Sequence, residues 1–550
     1  MGDSAGPSTD QPSAAPPSSP PRTEVTYQYE GPDLRGHAEA LRQKRDEFLQ
    51  MGGAERVERQ HAAGKLTVRE RLDQLFDPGS FSEFALLAHH QSVAPSMQGK
   101  VTPADGCVCG VGLIDGRRVA VIAYDFTVMA GSIGMVGELK ATRMRELALR
   151  ERIPLVWLID SAGARIQETT GSMFARTGDL FREQVIMSGV VPQVAAMMGP
   201  GAAGTAYIPG LADFVPMVKG TSHMALGGPP LVKAAVGEDV TAEEMGGSQV
   251  HTKISGVADL EVESDEDCLR AVRKYLGYFP PSNLEPPPIR ESEDPADRRC
   301  EELYDIVPAN PRQAFDVRKV IATIVDDGDF FPMKPDWARN LVTGFARFGG
   351  RPAGIVANQP MFLGGALDVN AADKAARFVW LCDAFGIPLV FLMDCPGFLV
   401  GSAVEKQGII RHGAKMLFAV AEATVPKVTV VTRKGYGAGY YVMCGRAYEP
   451  DVIVGWPTAE IAVMGPEGAV NIIFRKQIES AGDGDAQAIV RNQLVETVRQ
   501  QINAYIAAGW SFVDDLIDPA DTRSTIVRGL AMAETRKMER PWRKHGVLPV

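Results

Sequence analysis

Ile153-Pro154-Leu155-Val156-Trp157-Leu158-Ile159-Asp160 returns 234 residues downstream as Ile387-Pro388-Leu389-Val390-Phe391-Leu392-Met393-Asp394. Each stretch opens on Ile-Pro, runs through apolar residues and closes on an aspartate. A short, continuously apolar run with that punctuation reads as a strand buried on both faces. Working outward at the same offset, residues 110–163 align on 344–397 without a gap, giving 16 identities in 54 positions. Gly116/Gly350, Arg117/Arg351, Gly131/Gly365, Lys140/Lys374, Arg143/Arg377 and Gly163/Gly397 are among them, and Pro192/Pro426 keep the register beyond the block. An upstream echo pairs Leu75-Phe76-Asp77-Pro78-Gly79-Ser80-Phe81 with Ile324-Val325-Asp326-Asp327-Gly328-Asp329-Phe330. The chain is a duplicated unit.

Within each repeat a short strand (119–124; 353–358) leads to a glycine-rich turn. A helix follows (137–151; 371–385), and then the buried strand (155–159; 389–393) that ends in Asp160 or Asp394. Apolar strands alternating with helices specify βαβ units, so each half is α/β. The expected organisation is a Ser/Pro-rich disordered tail over residues 1–30, a first domain over 31–278, a Pro-rich linker over 279–299 and a second domain over 300–550.

With 45% hydrophobic and 23% charged residues, the composition is that of an ordinary globular protein. A net charge of −11 argues against nucleic-acid binding and against docking on anionic lipid. Seven cysteines, with Cys107 and Cys109 as the sole close pair, form neither a disulfide framework nor a metal site, so no metal is expected. Residues 1–22 hold Asp3, Asp10 and a single arginine, Arg22, and no apolar run, which excludes a secretory signal and disfavours a transit peptide. Residues 185–212 carry no charge, but the breakers Gly189, Pro192, Gly199, Pro200, Gly201, Gly204, Pro209 and Gly210 rule out a membrane span. They read as a buried strand and a glycine-rich turn. A cytoplasmic protein with reduced thiols is expected.

No phosphate-binding loop, nucleophile elbow or metal cluster is present, and the eight histidines stand in no acid–base motif. His412, between Arg411 and Gly413, reads as a structural or substrate-edge residue. What remains is glycine. Met198-Gly199-Pro200-Gly201-Ala202-Ala203-Gly204 follows a strand in the first half, and Lys434-Gly435-Tyr436-Gly437-Ala438-Gly439-Tyr440 follows the matching strand in the second. One such turn is ordinary helix–sheet packing. Two at equivalent places suit a pair of anion holes made of backbone N–H groups at helix starts, each donor contributing roughly 3–4 kcal/mol to a transition state.

At this point the sequence resembles the carboxyltransferase β subunits of biotin-dependent acyl-CoA carboxylases, of the propionyl-CoA and methylcrotonyl-CoA type. The resemblance covers about residues 35–550. It rests on Gly64-Lys65-Leu66-Thr67-Val68-Arg69-Glu70-Arg71, Asp160-Ser161-Ala162-Gly163-Ala164-Arg165-Ile166-Gln167, Asp373-Lys374-Ala375-Ala376-Arg377-Phe378, Pro396-Gly397-Phe398-Leu399, Gly408-Ile409-Ile410-Arg411-His412-Gly413-Ala414-Lys415 and Trp456-Pro457-Thr458-Ala459-Glu460-Ile461-Ala462-Val463-Met464-Gly465.

The resemblance implies two crotonase-like domains, an active site shared between the first domain of one subunit and the second of its partner, and a homo-oligomer, usually a hexamer. It implies that amides near Ala203 and Gly204 hold the acyl-CoA thioester oxygen and that those near Ala438 and Gly439 hold the biotin ureido oxygen. It places Gly131, Ser132, Ala162, Gly163, Ala164 and Arg165 beside CoA, though Arg165 reads equally well as a structural ion pair, and Gly364, Gly365, Pro396, Gly397 and Phe398 on the biotin side. Biotin would arrive on a separate biotin carboxylase and carboxyl-carrier α subunit, since neither a Met-Lys-Met biotinylation motif nor a biotin carboxylase region is found here.

Departures exist. Ala162 stands where glycine is commoner, and Ala438-Gly439 inverts the usual Gly-Ala. Tyr441 sits where propionyl-type enzymes often carry Asp at the acyl pocket, so it either sets acyl specificity by altering chain-length choice or only packs the helix, and residues 443–450 resemble the methylcrotonyl type. The alternatives are a biotin-dependent acyl-CoA decarboxylase, a hydratase or isomerase of the wider superfamily, and a scaffold β subunit of low activity.

Overall fold

The computed structural model describes Gly2 and residues 30–550. The expected disordered tail lies outside the described residues apart from Gly2 and Glu30.

The first half carries strands β1 (Ser82–Phe84), β2 (Cys107–Ile114), β3 (Arg117–Tyr124), β4 (Leu155–Ser161), β5 (Gln193–Ala202), β6 (Pro216–Val218), β7 (His223–Ala225) and β8 (Leu260–Val262). They form one sheet in the order β1-β2-β3-β4-β5-β6-β8, with β7 on the outer end of β5. The second half carries β9 (Phe330–Met333), β10 (Leu341–Phe348), β11 (Arg351–Asn358), β12 (Leu389–Cys395), β13 (Lys427–Tyr436), β14 (Val452–Gly455), β15 (Glu460–Ala462) and β16 (Asp515–Leu516). Its order is β9-β10-β11-β12-β13-β14-β16, with β15 on β13. From β3 through β6 and from β11 through β14 the pairing is parallel. Adding 234 to the bounds of β2, β3, β4 and β5 gives those of β10, β11, β12 and β13. The helices Met135–Glu151 and Val369–Ala384 keep the same register.

The repeated identities have physical causes. Lys140 buries its ammonium against the carbonyls of Ala104 and Cys107, 2.9 and 2.5 Å away, and Lys374 does the same with Lys334 and Leu341, at 2.8 and 2.7 Å. Each lysine pins the start of a hairpin strand to the long helix. In the upstream echo, Asp77 accepts the Gly116 N–H at 2.9 Å and Asp326 accepts that of Gly350 at 2.7 Å, closing the two hairpin turns. Those hairpins add an antiparallel strand to each sheet, β2 and β10, that lies outside the expected set. The other elements fall within two residues of expectation: β3 and β11 begin at Arg117 and Arg351, and the long helices at Met135 and Val369. Residues 193–211 form the expected strand, then a turn and the helix Gly204–Leu211.

An aromatic cluster is shared by the two halves. Phe214 stacks on Tyr275 at 4.5 Å and meets Phe331 edge-on at 5.6 Å, while Phe345 meets Phe279 at 5.2 Å and Phe378 at 5.1 Å. Buried aromatics of this kind contribute both area and edge geometry to the join. Among the described residues no helix is long and apolar enough to cross a membrane.

Candidate active site

Strand β5 ends at Ala202, and Ala203 turns the chain with φ 52° and ψ −113° into the helix Gly204–Leu211. The Ala203 N–H donates to the Ala225 carbonyl of β7 at 3.1 Å, and the Ala202 N–H to Thr205 Oγ1 at 2.8 Å. Gly204, the first residue of the helix, has no backbone acceptor for its N–H among the described residues. The sequence places the first anion hole at Ala203 and Gly204; the geometry leaves Gly204 as the open donor and occupies Ala203.

In the second half β13 ends at Tyr436, and Gly437, with φ 57°, occupies the place of Ala203. The next residues, Ala438 and Gly439, open the short helix Gly437–Val442. A Cβ on Gly439 would lie 2.6 Å from Cys395 Sγ and 2.9 Å from Gly397 Cα, so glycine is required there by close approach. At the offset of 234, Gly437 and Ala438 match Ala203 and Gly204, so the expected pair Ala438 and Gly439 starts at the match of Gly204.

The two strand ends beside these turns are built alike. Ile133 donates its N–H to Gly163 at 2.8 Å and accepts that of Arg165 at 2.9 Å; Leu367 donates to Gly397 at 3.0 Å and accepts from Leu399 at 2.8 Å. A Cβ on Gly163 would stand 2.8 Å from the Ala202 carbonyl, so this segment backs directly on the first turn. The structure brings Gly131, Ser132, Ala162, Gly163 and Ala164 together in the first half, and Gly364, Gly365, Pro396, Gly397 and Phe398 in the second.

A cleft of about 670 Å³ opens along the first group. Ser132, Ala162 and Ala164 line it, and so do Arg56, Arg59, Lys65 and Lys100. These four cations were not among the expected site residues. Arg56 and Arg59, three apart on the helix Ala54–Ala62, share one helix face, a spacing that was visible in the sequence. His223, on β7 opposite Pro200, is another addition beside the first turn; burial lowers its pKa.

Arg165 takes the second of its two readings, the structural ion pair. It is fully buried and pairs with Asp105 at 2.5 Å and with Glu168 at 3.0 Å, its remaining N–H groups donating to the Asp105 and Ser132 carbonyls. It braces the turn that carries Ser132 and has no surface for CoA.

The aspartates that close the two buried strands are likewise structural. Asp160 is wrapped by Lys65 at 2.7 Å, Arg71 at 3.0 Å and Gln60 at 3.0 Å. Burial lowers the Lys65 pKa, and the Asp160 carboxylate opposes that shift. Gly199 has no Cβ because the carboxylate fills that space, 1.9 Å from where the atom would be. In the second half Asp394 takes Arg433 at 2.6 Å and Lys434 at 3.0 Å. His412 has both ring nitrogens engaged, Nδ1 with Asp373 at 2.8 Å and Nε2 with Arg411 at 3.1 Å, in keeping with a structural reading. Tyr441 is half-exposed and stacks on Tyr448 at 6.0 Å. Among the described residues no group of three His, Cys, Asp or Glu could hold a metal ion.

Residues 59–548 match the family model for the carboxyl transferase domain. The chain is 46% identical over 518 residues to the carboxyltransferase subunit of propionyl-CoA carboxylase from Haloferax mediterranei, covering 94% of this chain and all of that one. It is 44% identical over 512 residues to the α subunit of methylmalonyl-CoA decarboxylase from Veillonella parvula, covering 93% and 98% of the two chains. The solved structure of transcarboxylase 12S, described as a hexamer with methylmalonyl-coenzyme A bound, superposes with a TM-score of 0.89 at 46% identity, covering 94% of this chain and 100% of that one. With its duplicated α/β halves of crotonase-like fold, the chain belongs to the carboxyl transferase family and is a carboxyltransferase that acts on acyl-CoA.

Proposed function

We propose that this chain moves a carboxyl group between carrier-borne biotin and the α carbon of a short acyl-CoA, with one backbone anion hole in each half. The observation that carries the reading is the repeated turn: Gly204 with its open N–H after the positive φ of Ala203, and Ala438 with Gly439 after that of Gly437. Residues 31–278 then serve the acyl-CoA and residues 300–550 the biotin.

In the first half, the cations of the cleft attract the phosphates of CoA, and its backbone wall at Ser132, Ala162 and Ala164 lets the pantetheine pass close. The thioester comes to rest with its oxygen on the Gly204 amide. As the α proton leaves, negative charge grows on that oxygen, and a preorganised N–H stabilises it more than it stabilises the ground state.

In the second half, Cβ atoms on Gly365 and Gly439 would collide with Asp394 O and Cys395 Sγ, at 2.8 and 2.6 Å, so glycine at both places lets the Asp394–Gly397 segment pack directly against the second turn. Carboxylated biotin, when bound, supplies CO2 and then the ureido anion that accepts the α proton. Amides at Ala438 and Gly439 hold the ureido oxygen and stabilise that anion. No side-chain base is needed, in keeping with the structural engagement of Asp160, Asp394 and His412. The partner is a biotin-bearing α subunit, and the assembly is a hexamer like that of transcarboxylase 12S.

The test is transfer from methylmalonyl-CoA to free biocytin by the purified chain, read by mass spectrometry as loss of the carboxyl. Biocytin-dependent conversion to propionyl-CoA supports the reading. A folded oligomer that converts neither methylmalonyl-CoA nor longer carboxyacyl-CoA contradicts it.

A further inference from the structure

Tyr207 and Tyr441 lie 234 residues apart, the spacing of the two turns themselves. Each is a large aromatic side chain left in the open, 51% and 46% exposed. Burying an aromatic ring is among the larger contributions to a protein's stability, so half-exposed rings repeated at matched places call for an account.

Tyr207 lies three residues beyond Gly204 on the helix Gly204–Leu211, which puts both on one helix face. Its ring is not loose. Phe181, on the helix Asp179–Met187, meets it edge-on with centroids 5.7 Å apart. The same Phe181 ring comes within 3.6 Å of where a Cβ on Gly204 would stand. The two rings thus form an aromatic wall that starts beside Gly204 Cα and ends in solvent. Tyr441 is held in the second half by Tyr448, stacked at 6.0 Å and 21°, and by Tyr440, edge-on at 6.0 Å.

We propose that Tyr207, braced by Phe181, is the residue that limits the length of the acyl group at the first turn. The inference rests on the assignment of the Gly204 amide to the thioester oxygen. A thioester whose oxygen sits on that amide projects its α substituent within reach of the neighbouring wall. A rigid phenol there admits a short chain and blocks a longer one. Tyr207 is a specificity residue, and the proton and the carboxyl move without it.

The experiment compares transfer to biocytin from methylmalonyl-CoA and from a carboxylated six-carbon acyl-CoA, in wild type, Tyr207→Phe, Tyr207→Ala and Phe181→Leu. Tyr207→Ala is expected to raise the six-carbon to three-carbon ratio of kcat/KM by about tenfold, the scale on which a hydrophobic pocket discriminates by chain length. Phe181→Leu moves the ratio the same way, and Tyr207→Phe, which keeps the ring, leaves it unchanged. A Tyr207→Ala enzyme that loses activity equally on both substrates would show that the ring is only structural and overturn the inference. A wild-type enzyme without transfer on either substrate would instead remove the functional reading beneath it.

Discussion

Ala203 and Gly437 occupy the same point of the two halves, each closing the central strand with a positive φ, 52° and 57°. One is a strained alanine, and the other is the residue that this backbone favours. Ala203→Gly should therefore stabilise the fold by about 1 kcal/mol, because an L side chain at such φ is strained and glycine is not. Gly437→Ala should cost about 1–3 kcal/mol, its new Cβ standing 3.0 Å from the Val463 carbonyl. Urea midpoints of the two variants measure both. Shifts of the same sign would mean that the two turns are not equivalent.

Gly204 and Gly439 differ in the room around them. A Cβ on Gly204 meets only Phe181 Cζ at 3.6 Å, an ordinary contact, whereas Gly439 is hemmed by Cys395 and Gly397. Gly204→Ala is expected to fold and assemble as wild type, and Gly439→Ala to lose about 2 kcal/mol or more through overpacking. Thermal unfolding distinguishes them, and equal melting points would contradict the packing described.

Arg165→Gln is expected to destabilise by about 3–5 kcal/mol, because it strands the buried Asp105 carboxylate. Any correctly folded fraction should keep its KM for the CoA ester. A stable variant with a raised KM would return Arg165 to the ligand.

The cleft cations should behave in the opposite way. Arg59→Ala and Lys100→Ala leave the core untouched and should together raise KM for the CoA ester by about tenfold, the worth of a charge-assisted contact to phosphate. The effect should shrink as salt screens the exposed charges. An unchanged KM in dilute buffer would place CoA elsewhere.

Much of this was legible in the sequence because the duplication repeats structural devices as well as residues. Lys140/Lys374 and Asp77/Asp326 recur because each ties down one hairpin, and the buried strands announced themselves as apolar runs closed by Asp. The antiparallel strands β2 and β10 were harder to read, since Cys107–Ile114 and Leu341–Phe348 mix glycine with apolar residues and match neither period cleanly. Arg165 was opaque for a different reason. Its partner Asp105 is sixty residues away, and only the tertiary fold decides whether an arginine beside a glycine turn faces a ligand or a carboxylate. Nor does the Gly/Ala pattern of the second turn reveal that Gly437 is the residue that carries the positive φ.

The most direct test of the account replaces the Gly204 amide by an ester, through an α-hydroxy acid at that position, which deletes one N–H and leaves every side chain in place. Since that N–H holds up no other part of the described backbone, the oligomer should form normally and bind the CoA ester as before. Transfer of the carboxyl to biocytin should then slow by roughly 10²–10³-fold, the scale of a lost oxyanion donor. A folded ester variant that transfers at nearly the wild-type rate would contradict the central claim that this amide holds the developing charge.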